Sequence, residues 1–339
     1  MINPEAQLAA KVFDKPDLSP TREGFGRGLV EAGRADPRVV VLTADLAEST
    51  HVHYFQKEFP DRFIQVGVAE QNLATVAAGM ANYGKIPFFS SYAAFSPGRN
   101  WEQIRTTIAI NNVPAKIAGS HAGVSVGPDG ATHQALEDIA LMRALPRMTV
   151  ISPCDAEEAR KATIAAAKTP EPTYIRLARE KSPVMTTAET PFAIGKAIVF
   201  WRTQENREQR TENSKNSVAI FATGPLVHNA LAAAQELEKA NIAVTVVNIH
   251  TIKPLDRETI VREARAAGAV VTVEEHQIYG GLGGAVAEAL AAELPTPIEF
   301  VGVQDRFGQS GEPKELIEHY GMGVSHIIAA AKKVIGRKS

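Results

Sequence analysis

The chain has 339 residues, 45% hydrophobic and 22% charged, with a formal net charge of -2 and one cysteine, Cys154. A near-neutral balance excludes a global field that would draw the protein to nucleic acid or to a membrane surface. A single thiol excludes a disulfide framework and fits a reducing cytoplasm, and the length exceeds one typical core, pointing to two domains.

The opening stretch, MINPEAQLAAKVFDKPD, carries charges and proline where a secretory leader needs an apolar centre, and no apolar run reaches membrane-spanning length. Apolar, β-branched runs then alternate with helical patterns. Residues 39–46 (VVVLTADL), 63–68 (FIQVGV), 86–92 (IPFFSSY), 115–120 (AKIAGS), 149–153 (TVISP) and 173–178 (TYIRLA) read as strands. Helices are clearest at 133–144 and 155–167. Near-continuous apolar strands separated by helices predict a parallel sheet covered on both faces.

Within this series, QVGVAEQNLATVAAGMANYG (65–84) places Glu70 where a strand gives way to an apolar helix. Leu73, Val76, Ala77 and Met80 fall at i, i+3, i+4 and i+7, which predicts one buried face. Ala74, Ala78, Gly79 and Ala81 cover much of the rest, so close packing on several sides is expected. A carboxylate in the first turn is either a helix-dipole partner or a placed chemical group.

EKSPVMTTAETPF (180–192) breaks the pattern with proline and threonine and reads as a linker, dividing the chain into domains 1–185 and 190–339. A second α/β series follows in AIVFW, VAIFATG, AVTVVNIH, AVVTVEEH and PIEFVGV. The predicted class is α/β, with two doubly wound, mainly parallel-sheet domains. RTQENREQRTENSKNS (202–217) has no apolar residue and is expected to be a solvated loop. The tail KKVIGRKS reads as a solvated helix end.

Several signals are weak. YGGLGGAVAEAL (279–290) puts glycines before a helix but is not G-x-G-x-x-G, so a tight turn is the simpler reading. His51 and His53 lack a third metal ligand and read as loop histidines. Cys154 sits at a strand-to-helix turn beside an Asp155 cap, with no evident base to activate a thiol. More informative is SHAGVSVGPDGATHQALEDIALMR (120–143), which leaves a strand, crosses a Gly-rich loop and enters a helix at Thr132 or His133. The loop gathers His121, Asp129 and His133, and loops at the carboxyl ends of parallel strands are where such folds bind ligands.

Four cores, VAEQN with Glu70, SSYAAF with Tyr92 and Phe95, GPDGATHQ, and ISPCDAEEA, resemble in order and spacing the second half of transketolases, which use thiamine diphosphate. The resemblance covers nearly the whole chain. It implies a pyrimidine-binding domain followed by the family's C-terminal domain. It also implies that Glu70 bonds the cofactor's aminopyrimidine and so promotes loss of the thiazolium C2 proton. Tyr92 and Phe95 would pack on that ring, and Asp45 would lie near the cofactor. His133 and Asp129 would bond sugar hydroxyls. Arg22, Ser49, His121 and Arg179 match positions that hold a substrate phosphate, for which charged forked donors are suited. A further family aromatic has no counterpart, because Gly98 stands there.

The family's first half holds the diphosphate and a divalent metal through G-D-G…N, and this chain has no GDG. The resemblance therefore implies one subunit of a split transketolase. Mg²⁺ or Ca²⁺ would be bound by a separate N-terminal-section chain, and the protein would be a homodimer alone and an α2β2 heterotetramer with its partner. Three rivals stay open: half of a deoxyxylulose-phosphate synthase, the β subunit of a 2-oxoacid dehydrogenase, and a non-catalytic scaffold.

Overall fold

The computed structural model describes residues 1–203 and 216–338, so most of the polar stretch expected to be a loop lies outside the described residues. Among these, the larger sheet runs in the order Thr251–Lys253, Thr149–Ile151, Thr173–Arg176, Lys116–Ser120, Ile86–Tyr92, Val39–Thr43, Phe63–Gln65. All neighbours are parallel except Thr251–Lys253, which is antiparallel to Thr149–Ile151. The smaller sheet has the order Ile298–Val303, Val270–Gln277, Ser217–Ala222, Ala243–Asn248, Ile198–Arg202, and only the last strand is antiparallel. Central strands such as Val39–Thr43 and Ser217–Ala222 are buried at every position, as apolar strands covered on both faces must be.

Two segments cross the expected division at 185–190. Thr251–Lys253, from the later part of the chain, edges the first sheet. The N-terminal residues lie against the second: Asn3 N donates to Phe200 O (2.9 Å), and Ala6 and Val12 are buried in the core of that sheet. The stretch read as a linker is strapped down. Ser182–Pro183 pairs antiparallel with Leu18–Ser19, and the Asp155 carboxylate accepts from Met185 N (2.7 Å) and Thr186 N (2.6 Å).

Three local readings differ from expectation. The strand at 63–68 ends at Gln65, because the Gln65 amide oxygen accepts from Asp45 N (2.7 Å) and Gly67 N (3.3 Å) and turns the chain towards Glu70. The helix expected from 133 begins at Asp138. Before it, Gln134 is drawn into the fold, its Nε2 donating to Val124 O (3.0 Å) and Gln309 O (2.9 Å), which bends the chain away from helical geometry. The helix Glu70–Asn82 buries Leu73, Ala74, Ala77, Ala78 and Ala81, with Val76 and Met80 only half-buried; Gln71, Asn72 and Gly79 are exposed, so one flank is open.

Glycine sets the position of the helix Thr21–Ala35. A Cβ on Gly24 would stand 1.7 Å from the Ala156 carbonyl oxygen, so only glycine lets this helix lie on Ala156–Ala166. The seat is fixed at its start by Thr21 Oγ1, which accepts from Ala178 N (2.8 Å). Arg22 is thereby carried to the carboxyl end of Thr173–Arg176, beside Arg179.

Candidate active site

The site residues stand past the carboxyl ends of neighbouring parallel strands, where loops leave the backbone groups unpaired and free to face a ligand. Glu70 follows Phe63–Gln65. Tyr92, Phe95 and Arg99 follow Ile86–Tyr92. Ser49 and His51 follow Val39–Thr43, His121 follows Lys116–Ser120, and Arg179 follows Thr173–Arg176.

Glu70 opens its helix and is 2% exposed. Its Oε1 accepts from Ser91 Oγ (3.4 Å) and its Oε2 from Arg99 Nη1 (2.8 Å). Its backbone oxygen accepts from Asn100 Nδ2 (2.8 Å), while Asn100 Oδ1 is buried without a partner. A cavity of about 470 Å³ opens here, lined by Glu70, Asn72, Thr75, Arg99 and Gln103 among others.

Beside it lies an aromatic cluster. The Tyr92 and His121 rings stack with centroids 3.9 Å apart, and Phe95 meets His133 edge-on at 5.3 Å. Tyr92 and Phe95 are roughly parallel at 6.2 Å. The Arg99 guanidinium carbon sits 4.7 Å from the Phe95 centroid, joining this cluster to Glu70. At Gly98 the chain turns tightly: Gly98 N donates to Ala93 O (3.1 Å), and a Cβ would fall 2.1 Å from the Ala94 carbonyl oxygen. No side chain fits there without moving the backbone, so an aromatic is excluded on steric grounds.

A third group is cationic. Arg22 Nη1 donates to Ser49 O (2.5 Å), and its Nε is buried without a partner. Arg179 Nη1 donates to Val126 O (3.0 Å) and to Glu180 (3.0 Å). Burial, then Arg179, pulls the Arg22 pKa below its ordinary value. His121, 2% exposed, is pulled to about 3 by burial, then by Arg22 and Arg179. His51 is pulled to about 4 by burial, then by Arg22 and His53. Both imidazoles are therefore neutral near pH 7, and the positive charge of this corner rests on two guanidiniums, Arg179 paired with Glu180 and Arg22 with its Nε–H unpartnered.

Of the residues singled out from sequence, the structure gathers Glu70, Tyr92, Phe95, His121 and His133 by ring stacking or through Arg99, and Arg22, Ser49 and Arg179 by hydrogen bonds or charge. Asp45 is exposed, with a backbone φ of 61°, and Asp129 is exposed at the kinked turn after Gly127. Neither carboxylate is drawn into these contacts. Arg99, Ser91, Asn100 and His51 were missed. His51, in the loop of Ser49, carried a signal in that shared loop; Arg99 carried none, since its role depends on a contact across 29 residues.

Cys154 is fully buried. Burial, then Glu158 and Asp155, raises its thiol pKa well above the ordinary value, which removes a thiolate nucleophile there. The Asp155 cap is present, its Oδ1 accepting from Glu158 N (2.8 Å). Among the described residues no group of three or more His, Cys, Asp or Glu side chains is placed to hold a metal ion, and no helix is long and apolar enough to cross a membrane.

Family models match residues 19–184 as a transketolase pyrimidine-binding domain and residues 208–327 as a transketolase C-terminal domain. A protein described as a transketolase C-terminal section from Methanocaldococcus jannaschii is 41% identical over 304 residues, covering 89% of this chain and 92% of that one. A 6-deoxy-6-sulfo-D-fructose transketolase subunit from a Clostridium species is 39% identical, covering 92% and 93%. Transketolase from Homo sapiens is 36% identical, covering 94% of this chain but 49% of that protein. A solved structure described as a split gene transketolase, inactive beta4 tetramer, superposes with a TM-score of 0.84 at 44% identity, covering 94% of this chain and 99% of that chain.

Proposed function

The chain belongs to the transketolase family, over its pyrimidine-binding and C-terminal domains, and we propose that it is one subunit of a split transketolase. In this reading it transfers a two-carbon ketol unit from a ketose phosphate to an aldose phosphate with thiamine diphosphate. The domains in this reading are 1–185 and 190–339, each lending a segment to the other's sheet, and the cell compartment is the cytoplasm.

The observation that carries the proposal is Glu70, a 2% exposed carboxylate at a strand-to-helix turn that lines a cavity and is joined through Arg99 to Phe95, which lies beside Tyr92. Buried carboxylates are costly unless matched to a partner, and a flat heteroaromatic ring fits between such a group and aromatic faces. The unpartnered Asn100 Oδ1 adds an acceptor near the same turn. Glu70 would bond the aminopyrimidine and hold or share a proton at Oε2, Tyr92 and Phe95 would orient the ring, and Asp45 would lie near it. When bound, the cofactor supplies a carbanion equivalent at thiazolium C2. His133 and Asp129 would orient sugar hydroxyls.

Arg22, Arg179, Ser49 and neutral His121 would take the substrate's anionic terminus. Two guanidiniums match a phosphate dianion in charge, and the orphaned Arg22 Nε is a donor awaiting an acceptor. The Clostridium relative is named for a sulfonated sugar. Arg179 already pairs with Glu180, so the charge count alone does not choose between a phosphate and a sulfonate; phosphate is the expectation that the family carries.

The diphosphate and its Mg²⁺ or Ca²⁺ would be held by an N-terminal-section chain carrying GDG…N. This chain alone is then inactive, a homodimer or, as in its solved relative, a tetramer, and forms an α2β2 assembly with the partner. Light scattering tests this: a strictly monomeric isolated chain would sink the self-association claim. The chemistry is tested by Glu70→Gln in the assembled enzyme, read by C2 proton exchange on bound cofactor. Exchange is expected to slow by orders of magnitude; exchange at the wild-type rate would reduce Glu70 to a helix-end carboxylate.

A further inference from the structure

Arg99 matches none of the roles assigned above, yet it touches both groups that define the ring pocket. Its Nη1 bonds Glu70 Oε2 at 2.8 Å, and its guanidinium carbon lies 4.7 Å from the Phe95 centroid. A guanidinium is planar, delocalised, stacks on aromatic faces and donates forked N–H bonds to carboxylates. An aminopyrimidine is also planar, stacks on aromatic faces and bonds a carboxyl group through a ring nitrogen. The two therefore compete for one face and one oxygen.

We propose that Arg99 is an internal plug, which occupies the aminopyrimidine's place against Glu70 and Phe95 in the cofactor-free chain and must swing out when cofactor binds. This rests on the reading of Glu70 given above. Both Glu70 oxygens already accept, Oε1 from Ser91 at 3.4 Å and Oε2 from Arg99 at 2.8 Å, and a ring approaching Oε2 along the Phe95 face meets the Arg99 guanidinium first. Ser91 is buried on a central strand and cannot swing out into solvent. Arg99 can: its side chain is 51% exposed, on the wall of the cavity. The plug also has a physical reason to exist. A carboxylate 2% exposed is strongly destabilising without a counter-charge, and Arg99 supplies that charge until a proton shared with a ring nitrogen relieves the carboxylate instead.

The plug makes a sign prediction opposite to that for an ordinary binding arginine. Removing it weakens the free chain but tightens the ring site, because ligand no longer has to displace a bound group. The test uses the isolated full chain and the free aminopyrimidine, 4-amino-5-hydroxymethyl-2-methylpyrimidine, as probe. Calorimetric titration of Arg99→Ala is expected to give affinity raised roughly tenfold over wild type, with Arg99→Gln also tighter. The thermal midpoint of Arg99→Ala without probe should fall, and the rise on adding probe should exceed that of wild type. In a Glu70→Gln background the gain from Arg99→Ala should vanish, since the contested oxygen is changed. Equal or weaker probe binding by both Arg99 variants, or binding undetectable in all of them, overturns the plug. Failure of the underlying reading looks different. There, Glu70→Gln in the two-chain enzyme leaves C2 exchange at the wild-type rate, whatever Arg99 does.

Discussion

Glu158→Gln is expected to stabilise the protein above pH 7 and to change little at pH 5. Glu158 lies fully buried on the helix Ala156–Ala166, its Oε2 accepting from Cys154 N (2.7 Å) and its Oε1 from Asn248 Nδ2 (2.7 Å). Burial, then neighbouring Asp155, raises its carboxyl from 4.5 to about 7. Burial raises Asp155 too, but Asp155 accepts from Glu158 N, Met185 N, Thr186 N and Thr186 Oγ1 at 2.6–2.8 Å, and these donors oppose that rise. Glu158 is therefore the group that keeps a proton.

The folded Glu158 binds its proton up to about pH 7, the unfolded one only to 4.5. Its contribution is complete below pH 4.5 and is lost as pH rises through about 7. About 2.5 pH units at about 1.36 kcal/mol each is roughly 3 kcal/mol. Glutamine stays neutral throughout. Asn248 Oδ1 is buried without a partner, so a flipped Asn248 amide can accept from the new glutamine N–H₂ while its oxygen keeps the Cys154 bond. The measurement is urea unfolding of both proteins at pH 5 and pH 8. The variant should lead by roughly 3 kcal/mol at pH 8 and by under about 1 kcal/mol at pH 5. A gap of the same size at both pH values would refute the titration of Glu158.

Asp138→Asn is expected to cost roughly 3–5 kcal/mol, because Arg176, 5% exposed, keeps its charge while losing the carboxylate that bonds its Nε at 2.9 Å and Tyr174 Oη at 2.7 Å. Asp138→Asn with Arg176→Met should cost less than the sum of the two single changes by urea unfolding, and strict additivity would show that the pair is not coupled. Arg179→Ala in the two-chain enzyme should lower kcat/KM for a ketose phosphate about tenfold to a hundredfold more than for the free sugar. Equal losses would mark Arg179 as the holder of the Val126 carbonyl and nothing more.

The strands were legible because burial on both faces favours apolar and small residues at successive positions: Val39–Thr43 (VVVLT) and Lys116–Ser120 (KIAGS) are buried residue by residue, though only the first is mostly β-branched. Glu70 was legible for the opposite reason: a carboxylate at the head of an apolar helix conflicts with its surroundings. What failed were readings that depend on distant contacts. The buried face of Glu70–Asn82 turned from Val76 and Met80 towards Ala74 and Ala78, since close approach to neighbouring elements favours alanine over bulk. Thr251–Lys253 crossed to the first sheet, a pairing over 100 residues that no local period encodes. The ion pair of Arg99 with Glu70 is of the same kind.

The second domain has a physical connection to the site that its own sequence does not advertise. Glu275, 4% exposed on Val270–Gln277, accepts from Ser125 N (2.6 Å) and Ser125 Oγ (3.2 Å). Gln134 reaches the other way, donating to Gln309 O (2.9 Å), and Gln277 N donates to Leu136 O (2.8 Å). A Cβ on Gly130 would meet Ser310 Oγ at 2.6 Å, so the Gly130 backbone lies against the Ser310 side chain. These contacts bracket residues 125–136, the turn that carries Asp129 and His133. A Gly-rich loop ordered only by its own chain would sample many shapes, because each glycine adds backbone freedom that folding must remove. Clamping both ends from a rigid sheet removes that freedom at the one loop whose side chains face sugar hydroxyls in the proposed reaction. Under the proposed reaction the C-terminal domain would act without touching substrate, by fixing the shape of the loop that carries Asp129 and His133.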